Sequence, residues 1–119
     1  MKCFKYAIEG IICAIKKEKN LVIDLIAVII VIILGILLSI NTIEWIICLI
    51  LFGLVISSEL INTAIERTID LITQEKHPIA KQAKDIAAGA VLFNAIIAFI
   101  IGCIIFIPKI ISLFIYLLF

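Results

Sequence analysis

Residues 21–40 read LVIDLIAVIIVIILGILLSI, and Asp24 is the one charged side chain among them. At 1.5 Å per residue a helix of this length covers about 30 Å, the thickness of a bilayer's hydrocarbon core. The stretch therefore reads as a membrane span, with Asn20 and Asp24 marking its edge. Asn41 and Thr42 then supply a short turn, and Trp45 falls where an interfacial aromatic belt would place it. A second run starts near Ile43, stays apolar to Ile56 and admits polar residues at helical spacing up to residue 72. After His77-Pro78, a third run covers residues 79–107 and is predicted to end at Pro108, because proline lacks the amide hydrogen a helix interior uses.

Composition agrees with this reading. Hydrophobic residues make up 66% of the chain, well above the roughly 45–50% of soluble domains, so the solvent for most of it is lipid. Ahead of the first span, Phe4, Ile8, Ile11, Ile12 and Ile15 gather on one side of a helix and Lys2, Lys5, Glu9 and Lys16 on the other, as in a helix lying in the membrane interface. The predicted fold is all-α integral membrane. A surface helix occupies residues 1–19, membrane helices cover 21–40, 43–72 and 79–107, and an apolar tail fills 108–119, all in one domain over 1–119. The tail is too short to span alone, so it lies at the interface or continues the third helix. Three thin helices enclose little, so oligomerisation is expected.

Lys2, Lys5, Lys16, Lys17 and Lys19 precede the first run, and Arg67, Lys76, Lys81 and Lys84 flank the connection between the second and third. The turn at residues 41–44 has no cation. By the positive-inside tendency, the N-terminus and the connection at 73–84 are cytoplasmic, and the C-terminus lies outside. The N-terminus lacks the ordered parts of a cleavable signal, so the first span is expected to stay in the mature protein. Cys3, Cys13, Cys48 and Cys103 occur singly, without the spacing of a zinc or redox pair. Nothing in the charge pattern points to nucleic acid.

Residues 59–70, ELINTAIERTID, set three carboxylates and an amide into this hydrocarbon. At 100° per residue, Glu59, Asn62, Glu66 and Asp70 fall within roughly 80° of one another, as one polar stripe. Ionisable groups at membrane depth are costly, so a stripe of them marks a working site or a polar seam between subunits. Carboxylates gathered beside lysines suit a magnesium nucleotide site, since hard cations take oxygen ligands and phosphates need cationic partners. Glu18 and Glu66 are the candidate metal ligands. Glu59, roughly 10 Å deeper than Glu66 at 1.5 Å per residue, suits a base reaching a lipid head group. Lys84 and Asp85 open the third span at the depth of Glu66.

No glycine-rich phosphate loop and no soluble-kinase catalytic loop is present. On spacing alone, an enzyme site, a carboxylate-dependent small membrane transporter and a structural cluster joining subunits all stay open. Each residue also has a plainer role. Glu66 could pair with Arg67 or Lys84, Glu18 could belong to a solvated charge run, and Glu59 could be a protonated acid bonded across subunits. His77 could be a solvated loop residue.

The segment ELINTAIERTID, followed by EKHPIAKQAKDIAAGAVL at 75–92, closely resembles the signature region of the small bacterial membrane kinases comprising diacylglycerol kinase and undecaprenol kinase. At the N-terminus FKYAIEGIICAIKKEKN, with Tyr6, Gly10, Glu18 and Asn20, is similar to the family's surface helix and first-span entry. The HPIAK stretch and IFIPKI at 105–110 look more like the undecaprenol kinase branch. The resemblance implies a homotrimer of three-span subunits that transfers the γ-phosphate of ATP, with Mg2+, to a lipid alcohol in the cell membrane. The sites would be shared between protomers, the acceptor would be undecaprenol, and diacylglycerol is the alternative. By motif position, Glu59 matches the family's general base, and Glu18 and Glu66 match its metal-binding carboxylates. Tyr6, Glu75, Lys76, His77, Lys84 and Asp85 match nucleotide-contacting positions, together with Glu18 and Glu66. Asn62 and Asp70 match supporting motif positions, and the tail after Pro108 has no assigned family role.

Overall fold

A computed structural model describes residues 2–119. Its order is α1 (Lys2–Lys17), α2 (Lys19–Leu37), α3 (Thr42–Ile72) and α4 (Pro78–Leu118), with no strand among the described residues. Three of the helices, α2, α3 and α4, are long and apolar enough to cross a membrane. The amphipathic α1 is separated from α2 by Glu18 alone. Phe4, Ile8, Ile11 and Ile12 on its apolar face are exposed, as a surface meant for lipid would be.

The turn between α2 and α3 is built from local hydrogen bonds. Ser39 N–H donates to Ile36 O at 3.3 Å and Ile40 N–H to Gly35 O at 3.1 Å, a Schellman closure of α2. Ser39 takes the left-handed conformation that this closure demands, with φ of 53°. Asn41 then caps α3 through a reciprocal pair: its Oδ1 accepts from Glu44 N–H at 2.9 Å, and its own N–H donates to Glu44 Oε1 at 3.0 Å. The reversal thus falls at residues 38–40, slightly earlier than the Asn41-Thr42 turn predicted, because Asn41 belongs to the next helix's cap.

The apolar core sits at this same end. Ile40, Cys48, Ile105 and Phe106 are buried there, with Leu34, Trp45 and Phe52 packed against them. Gly35 is needed for the approach, since a Cβ on it would stand 2.7 Å from a Trp45 ring carbon. Lys109 Nζ closes the end, 3.1 Å from Glu44 Oε1. Further along, Asn94 Nδ2 donates to Leu54 O at 3.3 Å and ties α4 to α3, the pair of helices with the most extensive contact.

The third apolar helix differs from expectation in one respect: it does not end at Pro108. α4 runs unbroken through that residue to Leu118. A proline in a helix interior leaves one carbonyl unpaired and crowds the preceding turn, which interrupts the hydrogen-bond ladder without stopping an apolar helix. The tail is therefore helical as far as Leu118, and every residue from Ile110 to Phe119 is exposed. At 1.5 Å per residue a 41-residue helix is about 62 Å long, and the molecule's longest dimension is 62 Å.

Candidate active site

The polar stripe lies in the half of the bundle away from the apolar core. Glu59 is 2% exposed, and Asn62 and Thr63 are 7% exposed each; they are the buried polar residues among those described. Thr63 Oγ1 donates to Glu59 O at 2.9 Å, so its hydroxyl is spent on the helix backbone. Asn62 Nδ2 donates to Glu66 Oε1 at 3.2 Å, one turn further along α3. Asn62 Oδ1 is buried and accepts from nothing among the described residues. A buried acceptor without a partner costs about 1–3 kcal/mol, so it is an oxygen waiting for a donor or a cation.

Two further carboxylates lie near this stripe, one on α2 and one at the joint before it. Asp24, Glu18 and Glu66 all lie close enough for their charges to act on Glu59. Glu18 occupies the N-cap position of α2, in extended conformation, yet its side chain caps nothing. That freedom matters, because the usual employment of an N-cap carboxylate is to bind the first amides of its helix.

A second feature opens where α3 meets α4. The connection at residues 73–77 folds around a cleft of about 610 Å³ that is lined by Glu75, Lys76, His77, Lys84 and Asp85, among others. Glu75 N–H donates to Thr73 Oγ1 at 3.1 Å, and His77 N–H to Glu75 O at 2.9 Å, which set the bend. His77 then caps α4: its Nδ1 accepts from Ile79 N–H at 3.1 Å, with Pro78 in the first turn where its missing amide hydrogen costs nothing. An Nδ1 that accepts leaves Nε2 as the protonated nitrogen of the neutral ring.

Lys84 Nζ is 2.5 Å from Asp70 Oδ1, which joins the last turn of the stripe to the first turns of α4. Lys81 Nζ is 2.6 Å from Asp85 Oδ2 on the same helix face. The structure thus brings the sequence-derived residues into two neighbouring groups. The buried Glu59 and Asn62 and the half-buried Glu18 and Glu66 form the carboxylate group, and Glu75, Lys76, His77, Lys84 and Asp85 form the rim of the cleft. Asp70 links them, about 6 Å along the helix axis from Glu66. Tyr6 joins neither group within one chain; it is 62% exposed on α1.

Two further residues lie near these groups, Asp24, whose sequence position allows either a cap of the first span or a place facing the site, and Lys81. Asp24 on α2 is near enough for its charge to be felt at Glu59, and its signal was a lone carboxylate one turn inside an otherwise apolar run. Lys81 holds Asp85, and its i,i+4 spacing was readable. No group of three or more His, Cys, Asp or Glu side chains able to hold a metal is found among the described residues. Magnesium asks for less, since it keeps several waters and takes one or two carboxylates plus substrate phosphates. Chemically, the arrangement offers a buried carboxylate able to accept a proton, further hard oxygen donors near it, and a cleft lined by lysines and carboxylates about three turns away along α3.

A family model described as prokaryotic diacylglycerol kinase matches residues 5–106. The chain is 48% identical over 108 residues to an undecaprenol kinase of Bacillus subtilis, covering 91% of this chain and 88% of that one. It is 39% identical over 111 residues to a diacylglycerol kinase of Synechocystis, covering 92% of this chain and 63% of that longer one. A diacylglycerol kinase of Helicobacter pylori is 35% identical over 102 residues, covering 85% of this chain and 80% of its own length.

Proposed function

The chain belongs to the prokaryotic diacylglycerol kinase family, and from that membership we propose that it phosphorylates undecaprenol, with diacylglycerol as the alternative acceptor. It is a membrane lipid kinase that moves phosphate from ATP. Kinase chemistry thereby displaces the transporter reading that spacing alone left open. The observation that carries the acceptor is the 48% identity to a protein that bears the name undecaprenol kinase.

Glu59 is the general base in this reading. It sits buried on α3 and accepts the proton of the lipid hydroxyl as the oxygen attacks the terminal phosphate in line. Burial keeps water away from the transfer, and alignment is most of what phosphoryl transfer asks of a protein. Asn62 steadies Glu66 through its amide and offers Oδ1 to the substrate side. Lys84, held by Asp70, carries positive charge to the ATP phosphates, with Glu75, Lys76, His77 and Asp85 around the nucleotide. Glu18 and Glu66 would hold Mg2+, and the free carboxylate of Glu18 and the orphaned oxygen beside Glu66 are the donor type that ion prefers. When bound, the ion would neutralise phosphate charge and fix the phosphates in place.

The same reading takes the whole chain as one kinase domain and the working protein as a homotrimer with shared sites. Support comes from the outward apolar faces of α2, α3 and α4, and from Tyr6, which reaches neither half of the site in its own chain and would serve a neighbour's. The cations near α1 and the α3–α4 connection put both on the cytoplasmic side, with the α2–α3 turn and the C-terminus outside.

The test is transfer of labelled phosphate from ATP in lipid, with undecaprenol and diacylglycerol offered side by side. Undecaprenyl phosphate as the main product supports the proposal. Phosphatidic acid alone moves the assignment to the alternative acceptor.

A further inference from the structure

A groove of about 350 Å³ runs between α1 and α3, beside the carboxylate stripe and not within it. Its floor is apolar and low: Gly10 and Ala14 on α1 face Leu60 and Ala64 on α3. Its rim carries two exposed cations, Lys17 and Arg67, one from each helix. Neither makes an ion pair among the described residues, although the chain's other cross-helix cations, Lys84 and Lys109, each have a carboxylate. Leu60, Ala64 and Arg67 are turned roughly 80–140° around α3 from Glu59, so the groove presents a different helix face from the proton acceptor.

We propose that this groove binds a lipid bearing a phosphate ester, with the hydrocarbon along the small-residue floor and the phosphate between Lys17 and Arg67. The size lies at the lower end of small-molecule sites, about 300–1,000 Å³, and suits a head group with the first part of one chain. An arginine fork and a lysine point charge together match a phosphate's oxygens, and they hold it better at a lipid surface than in open water. The amphipathic α1 sets the depth, since a helix lying in the interface puts its flanking cations at the level of head-group phosphates. Two lipids share that chemistry: an anionic phospholipid of the surrounding bilayer, which is a phosphodiester, and the monoester that a lipid kinase makes. The first stands without the kinase reading; the second rests on it.

The test measures retained lipid and not turnover, so its failure is separate from failure of the kinase assignment. The full chain is presented with phosphatidylcholine, phosphatidylglycerol and a polyprenyl monophosphate in equal amounts, without ATP, and retained lipid is read by native mass spectrometry. The wild type should keep one or both anionic lipids over phosphatidylcholine, and the K17Q/R67Q variant should lose roughly tenfold of that preference. K2Q/K5Q, which removes the same charge elsewhere on α1, should keep it, and R67K should restore most of what R67Q loses. Preference for the monoester identifies the product, and equal retention of the diester identifies the bulk lipid. No preference in the wild type, or an equal loss in K17Q/R67Q and K2Q/K5Q, overturns the site.

Discussion

Lys84 and Asp70 meet across the junction of α3 and α4, Nζ to Oδ1 at 2.5 Å, with both side chains more than a third exposed. An ion pair this open to solvent contributes little to stability, and on the proposed reading its use is to aim the lysine. Lys84→Gln should therefore lower turnover about 100-fold, and Asp70→Asn about tenfold with a raised KM for ATP, while the thermal midpoint of each moves by only a degree or two. Phosphate-transfer kinetics and melting curves on the same preparations check both halves of this.

Glu59→Gln keeps the size and the buried position but cannot take a proton. Turnover should fall by about 10²–10⁴, the usual contribution of a positioned base, with ATP binding close to that of the wild type. Near-normal rates in this variant would remove Glu59 from the base role.

Chelation should stop the reaction, and added Mg2+ should restart it. Glu18→Gln and Glu66→Gln should each raise the Mg2+ concentration for half-maximal rate by about tenfold or more, because a neutral amide is a poorer ligand for a hard dication. Titration of rate against free Mg2+ separates this from a simple loss of active protein, which would lower the plateau and leave the midpoint alone.

At the other end of the bundle, Gly35→Ala puts a methyl 2.7 Å from the Trp45 ring and 3.1 Å from Ile40 Cδ1. Both neighbours are packed into the core, so neither can yield freely. A cost of about 1–3 kcal/mol is expected, read as a lower unfolding midpoint, with the Michaelis constant for ATP unchanged.

Much of the architecture was legible because a bilayer imposes few alternatives on a chain. Twenty apolar residues and an amphipathic lysine-rich segment each have one economical placement, and the 100° periodicity grouped Glu59, Asn62 and Glu66 before any contact was known. The departures are physical. Pro108 punctuates helices in water, where the freed carbonyl and the following chain have other partners; in an all-apolar stretch the helix remains the least costly backbone on both sides of it. The reversal before α3 moved because Asn41 and Glu44 satisfy each other, a reciprocity visible as an Asn-x-x-Glu spacing but outweighed by the turn tendency of Asn41-Thr42. Asp24 could not be assigned from its own neighbourhood, since its relation to Glu59 crosses two helices. Tyr6 stays apart from the site within one chain, and periodicity carries no information about what a neighbouring copy brings.

The apolar core, the Schellman turn and the Glu44–Lys109 pair all lie at one end of the bundle, whereas the cleft at the α3–α4 junction is edged by solvent-exposed ion pairs and a five-residue connection at 73–77. Rigidity is therefore graded along the long axis, like tongs riveted at one tip. Amide hydrogen exchange should be slowest through residues 34–52 and fastest through 73–77. On the proposed reading, a nucleotide would come and go by local breathing of the loose tip, without disturbing Glu59 about four turns deeper along α3.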